Sequence, residues 1–272
     1  MSCPACFSGA LDKGNPLGSE TRIAGLDVYV TSQEEAQDKI NDAVVIITDV
    51  FGWRLPNIRL IADKMAAELE MRIYIPDFHD GWSPPSWLLD GWLDPAPTFW
   101  GRVCQWAWLV IRLPQVLFWI ATRGDRAVVP RVERFLRELR EKHNAERIIA
   151  SGYCWGARYA VLAAGCRGQV AGFAITHPSG VKLLDLQRVQ QSGALLIPDP
   201  DPAFPPSDVL QAKTLLWSQS PPIFFRFHLF PGMVHGFAVR GRSSIPAVRE
   251  AREEALQITC EFIRDVLYRP QD

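Results

Sequence analysis

A cysteine stands midway between two glycines in Gly152-Tyr153-Cys154-Trp155-Gly156, within the run SGYCWGAR. The apolar RIIA precedes this run and YAVLAAG follows it, so the thiol falls where a strand hands over to a helix. A nucleophile on such a sharp turn needs small residues two positions away on either side, because its own backbone is strained and the neighbouring chain packs closely. The helix N-terminus beneath the sulfur would favour the thiolate, the form of cysteine that attacks carbon. The alternative is a buried, inert cysteine, a common fate for this small apolar side chain. Five residues do not separate the two readings; the partners a nucleophile requires bear on the choice.

A thiolate wants a base, and the base wants an acid to orient it, in the chain order nucleophile, acid, histidine on this kind of turn. Of the five histidines, only His177, His228 and His235 follow Cys154. His235 sits in PGMVHGFAVRG, a turn-rich loop just after the strand-like FRFHLF, where such a base belongs. His228 alternates within that strand and reads as structural, while His177, before Pro178, fits either role. The acid should come from PDPDPAFPP, after the strand-like GALLI, and spacing leaves both Asp199 and Asp201 open.

The elements that must hold these groups alternate along the chain. Strands are expected over 22–32, 42–52, 71–78, 146–153, 170–178, 193–199 and 222–230, and helices over 57–70, 130–143, 157–165 and 244–268. DAVVIITDVFG (42–52) is a continuous β-branched run, as a strand buried on both faces requires. Strand alternating with helix predicts an α/β fold with a mostly parallel sheet covered on both faces. No repeat or low-complexity linker divides residues 1–272, so one domain is the economical expectation.

Composition narrows the partners. Lys and Arg number 29 against 30 Asp and Glu, which leaves no basic surplus for a phosphate backbone, and nucleic acid is not expected. Six cysteines over this length are too sparse for a disulfide framework, and the CxxC of Cys3 and Cys6 lacks the second pair a zinc site needs. No metal or other cofactor is implied. The opening residues lack a basic stretch followed by an apolar one, so the expected location is cytoplasmic. A homodimer is left open.

Residues 81–122 break the rhythm, carrying Trp82, Trp87, Trp92, Trp100, Trp106, Trp108 and Trp119. Gln105, Arg112, Pro114 and Gln115 interrupt the span of about 20 apolar residues that a bilayer requires. A lid or pocket wall lined by some of the indoles, with others packed into the core, is the reading preferred to a membrane helix.

With the cysteine turn, TDVFGWRLPNIRLIADKMA, YIPDFHDG, THPS, DPAFP and GMVHGFAVRG on the page, the chain resembles the dienelactone hydrolase family, especially its fungal branch. The resemblance runs along nearly the whole chain. It implies an α/β-hydrolase fold with a triad of Cys154 as nucleophile, His235 as base and Asp201 as acid, the last aligned through Asp201, Phe204 and Pro205. It also places Asp49, one methylene shorter than the bacterial glutamate, where a carboxylate holds the resting thiol. Arg240 would pair with a substrate carboxylate, its plainer alternative being a surface arginine. The oxyanion would be held by backbone N–H groups of Trp155 and of the Val50–Phe51 turn.

The chain departs from the family between Ile197 and Asp201, where four steps replace a longer segment. The implied activity is hydrolysis of a small-molecule lactone or ester. One alternative keeps the site but works in fungal secondary metabolism, on a thioester, a ring closure, an isomerisation or a carbon–carbon cleavage of a polyketide-like substrate. A second, motivated by the shortened segment, is a non-catalytic ligand-binding member.

Overall fold

The computed structural model describes residues 9–32, 41–84, 98–104, 107, 111, 122–166, 168–219 and 223–268. Among the described residues, eight strands, β1 (Ser19–Ile23), β2 (Leu26–Thr31), β3 (Ala43–Ile47), β4 (Arg72–Pro76), β5 (Ile148–Tyr153), β6 (Gly172–Thr176), β7 (Ser192–Asp199) and β8 (Phe225–Pro231), form one sheet. Its order is β1-β2-β4-β3-β5-β6-β7-β8. The strands from β4 to β8 run parallel, and β1 and β2 add antiparallel at the other edge. The helices are α1 (Pro56–Leu69), α2 (Asp125–His143), α3 (Gly156–Ala164), α4 (Leu183–Leu186), α5 (Pro206–Trp217), α6 (Phe237–Arg240) and α7 (Pro246–Tyr268).

Each face of the sheet carries its own apolar cluster. On one side α1 and α7 bury Ile58, Met65, Phe262 and Ile263; on the other α2, α3 and α5 bury Phe135, Ala160 and Leu216. Successive residues of β3 feed alternate clusters, Val44 and Ile46 into the first and Val45 and Ile47 into the second. This is why the strand reads as an unbroken apolar run rather than an alternating one. Burying each such Val or Ile contributes about 1.5–3 kcal/mol relative to leaving it exposed.

Among the differences from the sequence expectation, which include the short helices α4 and α6, two have a plain local cause. The single strand expected over 22–32 is a hairpin, because Ala24 and Gly25 both adopt positive φ (53° and 81°), as a two-residue type I′ turn demands. Glycine at the second position lowered the cost of that turn, and alanine at the first concealed it. Helix α5 was not anticipated, since PDPDPAFPP reads as loop throughout. Yet Pro206 occupies the first helical turn, where its missing N–H costs nothing. Val209, Ala212 and Leu216 then bury one stripe.

Candidate active site

The parallel strands all end at one edge of the sheet, and the loops after β3, β5, β6, β7 and β8 carry Asp49, Cys154, His177, Asp201 and His235 respectively. Open α/β sheets bind ligands at this carboxyl edge. Register brings the loops together: Ile47 of β3 lies opposite Gly152 of β5, and Tyr153 lies opposite Thr176 of β6.

Cys154 holds a left-handed backbone (φ 52°), a strained state for a residue with a Cβ, and is 1 % exposed. Its N–H donates to the Thr176 carbonyl (3.2 Å), and its carbonyl accepts from Ala157 (3.1 Å) and Ser179 (3.0 Å). The two glycines have distinct steric reasons. A Cβ on Gly156 would lie 2.0 Å from the Ile47 carbonyl oxygen, and one on Gly152 would lie 2.6 Å from Ala157 Cα. Both contacts are with backbone, so neither can be relieved by turning a side chain.

His235 Nε2 lies 3.1 Å from Cys154 Sγ, and His235 Nδ1 lies 2.8 Å from Asp201 Oδ2. A carboxylate only accepts, so Nδ1 carries the proton and, in the neutral ring, Nε2 is free to accept from the thiol. The other oxygen of Asp201 accepts from the Ala203 N–H (2.8 Å), which fixes the carboxylate's orientation. The side chains of His235 and Asp201 are fully buried.

Asp199, the other acid in range, works through its backbone. It closes β7 opposite Pro231 of β8, and its carbonyl accepts from Gly232 (2.9 Å), tying down the loop that carries His235. The four steps from Ile197 to Asp201 therefore suffice, because β7 stays paired to β8 until the histidine loop departs. The shortened segment does not break the line from acid to thiol.

Asp49 and Arg240 form a buried ion pair, Arg240 Nε donating to Asp49 Oδ2 at 2.7 Å. Asp49 Oδ1 accepts from the Phe51 N–H (3.0 Å), and the guanidinium lies 5.2 Å from the centre of the Phe51 ring. Arg240 is 0 % exposed, so the surface-arginine alternative is overturned. Gly236 is what admits it: at φ 86° it begins α6, and a Cβ there would meet Arg240 Nη2 at 2.3 Å. Because the Phe51 amide is given to Asp49, Val50 and Trp155 are left as the amides to consider for an oxyanion, and the Trp155 N–H opens α3.

Sequence reasoning missed one histidine and left a second undecided. His79, upstream in YIPDFHDG, is buried and packs its ring 4.4 Å from that of Trp155, which also lies 4.5 Å from the Tyr159 ring. Burial, with help from the Arg123 charge, pushes His79 down to about 3. His177, left with either role, is fully buried with its ring 5.3 Å from that of His235, edge to face. Burial, the neighbouring His235 and Arg240 push it well below the usual histidine range. Both rings are thus neutral near pH 7. Their signal in the sequence was only their position at strand ends. His228, by contrast, is a half-buried strand residue that reaches Glu254 (3.2 Å).

Trp87, Trp92, Trp106, Trp108 and Trp119, like Cys3 and Cys6, lie outside the described residues. Trp82 packs against the α1 and α7 cluster, whereas Trp100 is exposed beside Phe99. Cys104 and Cys166 are exposed, and Cys260 is buried. Among the described residues no helix is long and apolar enough to cross a membrane, and no three His, Cys, Asp or Glu side chains converge as metal ligands would.

The sheet, its flanking helices and the loops at its carboxyl edge define an α/β-hydrolase. The model of the dienelactone hydrolase family matches residues 111–267, and the chain belongs to that family. Over 250 residues it is 27% identical to Hydrolase pyvD of Aspergillus violaceofuscus, covering 92% of this chain and 91% of that one. It is 26% identical over 268 residues to the human carboxymethylenebutenolidase homolog, covering 94% and 95% of the two chains. Hydrolase tropI of Talaromyces stipitatus is also 26% identical, over 272 residues, covering 98% and 96%. The fold is shared with the dienelactone hydrolase of Anabaena variabilis, with a TM-score of 0.60 at 11% identity over 91% of this chain and 95% of that one. The protein is accordingly a hydrolase of this family.

Proposed function

We propose that the protein hydrolyses a small-molecule ester or lactone through an acyl-thiol intermediate on Cys154. The observation that carries this reading is the unbroken line from Asp201 through His235 to Cys154, with contacts of 2.8 and 3.1 Å. His235 Nε2 takes the thiol proton, and Asp201 stabilises the imidazolium that results. The thiolate adds to the substrate carbonyl, and the N–H groups of Val50 and Trp155 hold the oxyanion. Each such donor is worth about 10²–10³ in rate. Collapse breaks the acyl carbon–oxygen bond, and the leaving alkoxide takes the proton from His235. Water then gives a proton to His235, attacks the thioester and expels the thiolate, which recovers that proton.

The Asp49–Arg240 pair supports the site from one side. It holds the turn carrying Val50 through the Phe51 amide, and its Arg240 is the last residue of the short helix that follows His235. In this reading Arg240 orients Asp49 and the Phe51 ring, and a substrate carboxylate would have to compete with Asp49 to reach it.

The test is mass spectrometry after incubation with p-nitrophenyl acetate. A 42-dalton acetyl adduct confined to the peptide holding Cys154, and absent in Cys154→Ala, is expected; turnover with no adduct on that peptide at any time would sink the thiol mechanism.

A second reading keeps the nucleophile but gives it a bulky, polyketide-like ester or thioester. It is supported by the similarity along most of the chain to Hydrolase pyvD and Hydrolase tropI, and by the aromatic cluster that His79 and Tyr159 form around Trp155, the residue after the nucleophile. Product analysis with ring-closed and open aryl esters separates the two: a preference for the small lactone of at least tenfold in kcat/KM favours the first.

A further inference from the structure

A cavity of about 690 Å³ opens on the face of the sheet covered by α1 and α7, and Cys154, Asp201 and His235 take no part in its wall. Its floor is apolar, made by Leu60, Ile61, Ala238, Ala255 and Leu256 with Tyr153 beneath. Its rim is basic: Lys13, Lys64, Arg242 and Arg249 are all exposed there. Of the acids beside them, Asp12 pairs with Arg252, and Glu253 is the other acid of the wall.

The wall is built rather than incidental. Asn57 Nδ2 donates to the carbonyls of Ala10 (2.9 Å) and Val239 (2.8 Å), joining the N-terminal segment, α1 and α6. Arg252 Nη1 donates to Ser243 Oγ (2.6 Å) and to the Gly241 carbonyl (2.7 Å), closing the far side. The volume lies within the roughly 300–1,000 Å³ that small-molecule sites occupy, and an apolar interior with a few charged groups is their usual lining.

We propose that this cavity is a second ligand site, separate from the thiol, for an unbranched aliphatic carboxylic acid. The chain of the acid lies on the Leu60, Ile61 and Leu256 floor, and its carboxylate meets the Lys64 and Arg249 side of the rim. A nucleotide or other phosphate ester is a poorer match, because the Asn57, Ser243 and Arg252 side chains of the wall are already engaged with backbone carbonyls and with one another. Exposed rim charges hold an anion weakly, so affinity must come mainly from chain burial. Each added methylene should then tighten binding about fourfold until the floor is covered.

Isothermal titration of the full chain with octanoate, decanoate and dodecanoate below their micelle concentrations tests this. Saturable binding at one site per chain is expected, tightening along the series and weakening at least tenfold in the charge-reversed Lys64→Glu/Arg249→Glu protein. Both positions are exposed, so that variant should melt like the parent and keep its esterase activity. Leu256→Trp, which fills the floor, should also abolish binding, and Cys154→Ala should leave it intact. Absence of saturable binding by the full chain overturns the proposal. So does binding that survives both the rim reversal and Leu256→Trp, or that is lost in Cys154→Ala, because the acid would then sit elsewhere, at the thiol in the last case. None of these outcomes depends on whether Cys154 is the nucleophile.

Discussion

The turn that carries Cys154 and the loop that carries Asp201 serve one line of contacts, yet they are specified in opposite ways. The cysteine turn is held by its immediate neighbours: glycines two residues before and after, each facing backbone at under 3 Å where a Cβ would stand. The acid loop has three prolines and two aspartates within Pro198–Pro202, and nothing local in it selects one carboxylate. Selection comes from β7 staying in register with β8 as far as Asp199 and Pro231, which delivers the next acid to the histidine. A nucleophile turn is thus a local sterics problem, and an acid loop is a registry problem.

The sharpest way to break that contrast is to exchange the roles of the two aspartates. Asp201→Asn should lower kcat/KM by about 10⁴, since an amide can hold the wrong tautomer of His235. Asp199→Asn keeps the backbone carbonyl that anchors Gly232 and should stay within about threefold, the scale of an ordinary half-exposed substitution. Comparable losses in both, measured with p-nitrophenyl acetate, would mean that the acid is not chosen by register.

Arg240→Met comes next, because it leaves the Asp49 carboxylate buried without its cation. Breaking a buried pair from one side costs about 3–5 kcal/mol. Urea unfolding should show this as a lower midpoint at unchanged slope, and the double variant Arg240→Met/Asp49→Leu should recover much of the loss. Gly156→Ala is expected to cost about 3 kcal/mol or more by overpacking, whereas Gly25→Ala, with nothing within 4 Å of the added methyl, should cost about 1 kcal/mol from its left-handed backbone alone. Equal costs would show that the cysteine turn tolerates backbone shifts after all.

The most gradual effect is on pH dependence. His79 is held down to about 3 and His177 well below the usual range, against about 6.5 for each in the unfolded chain. Between those values the unfolded state binds more protons, so this stability is complete above pH 6.5 and drains as pH falls toward 3. The slope is at most about 1.4 kcal/mol per pH unit for each histidine. Urea midpoints at pH 7, 6 and 5 should fall steadily, and less so in His79→Phe. A flat profile from 7 to 5 would place both rings in contact with water.

Much of the fold was legible for physical reasons that particular segments make plain. AVVII is apolar at every position because both faces of β3 are covered, and GxCxG marks the turn because two backbone approaches forbid a side chain. Helix α5 escaped because its first turn is written in prolines, and the β1–β2 hairpin escaped because Ala24 occupies a conformation its residue type rarely adopts.

By itself the sequence determined the alternation of strand and helix, the thiol's place at the end of β5 and the order of its partners, since periodicity and close glycine contacts are local. Only the tertiary structure decided that Asp201 rather than Asp199 faces His235, that Arg240 is buried against Asp49, and that the His177 ring packs on His235 and the His79 ring on Trp155. Those outcomes depend on which loops meet at the carboxyl edge of the sheet. That meeting is set by strand register between segments up to 191 residues apart, as the Asp49–Arg240 pair is, and no local pattern encodes it.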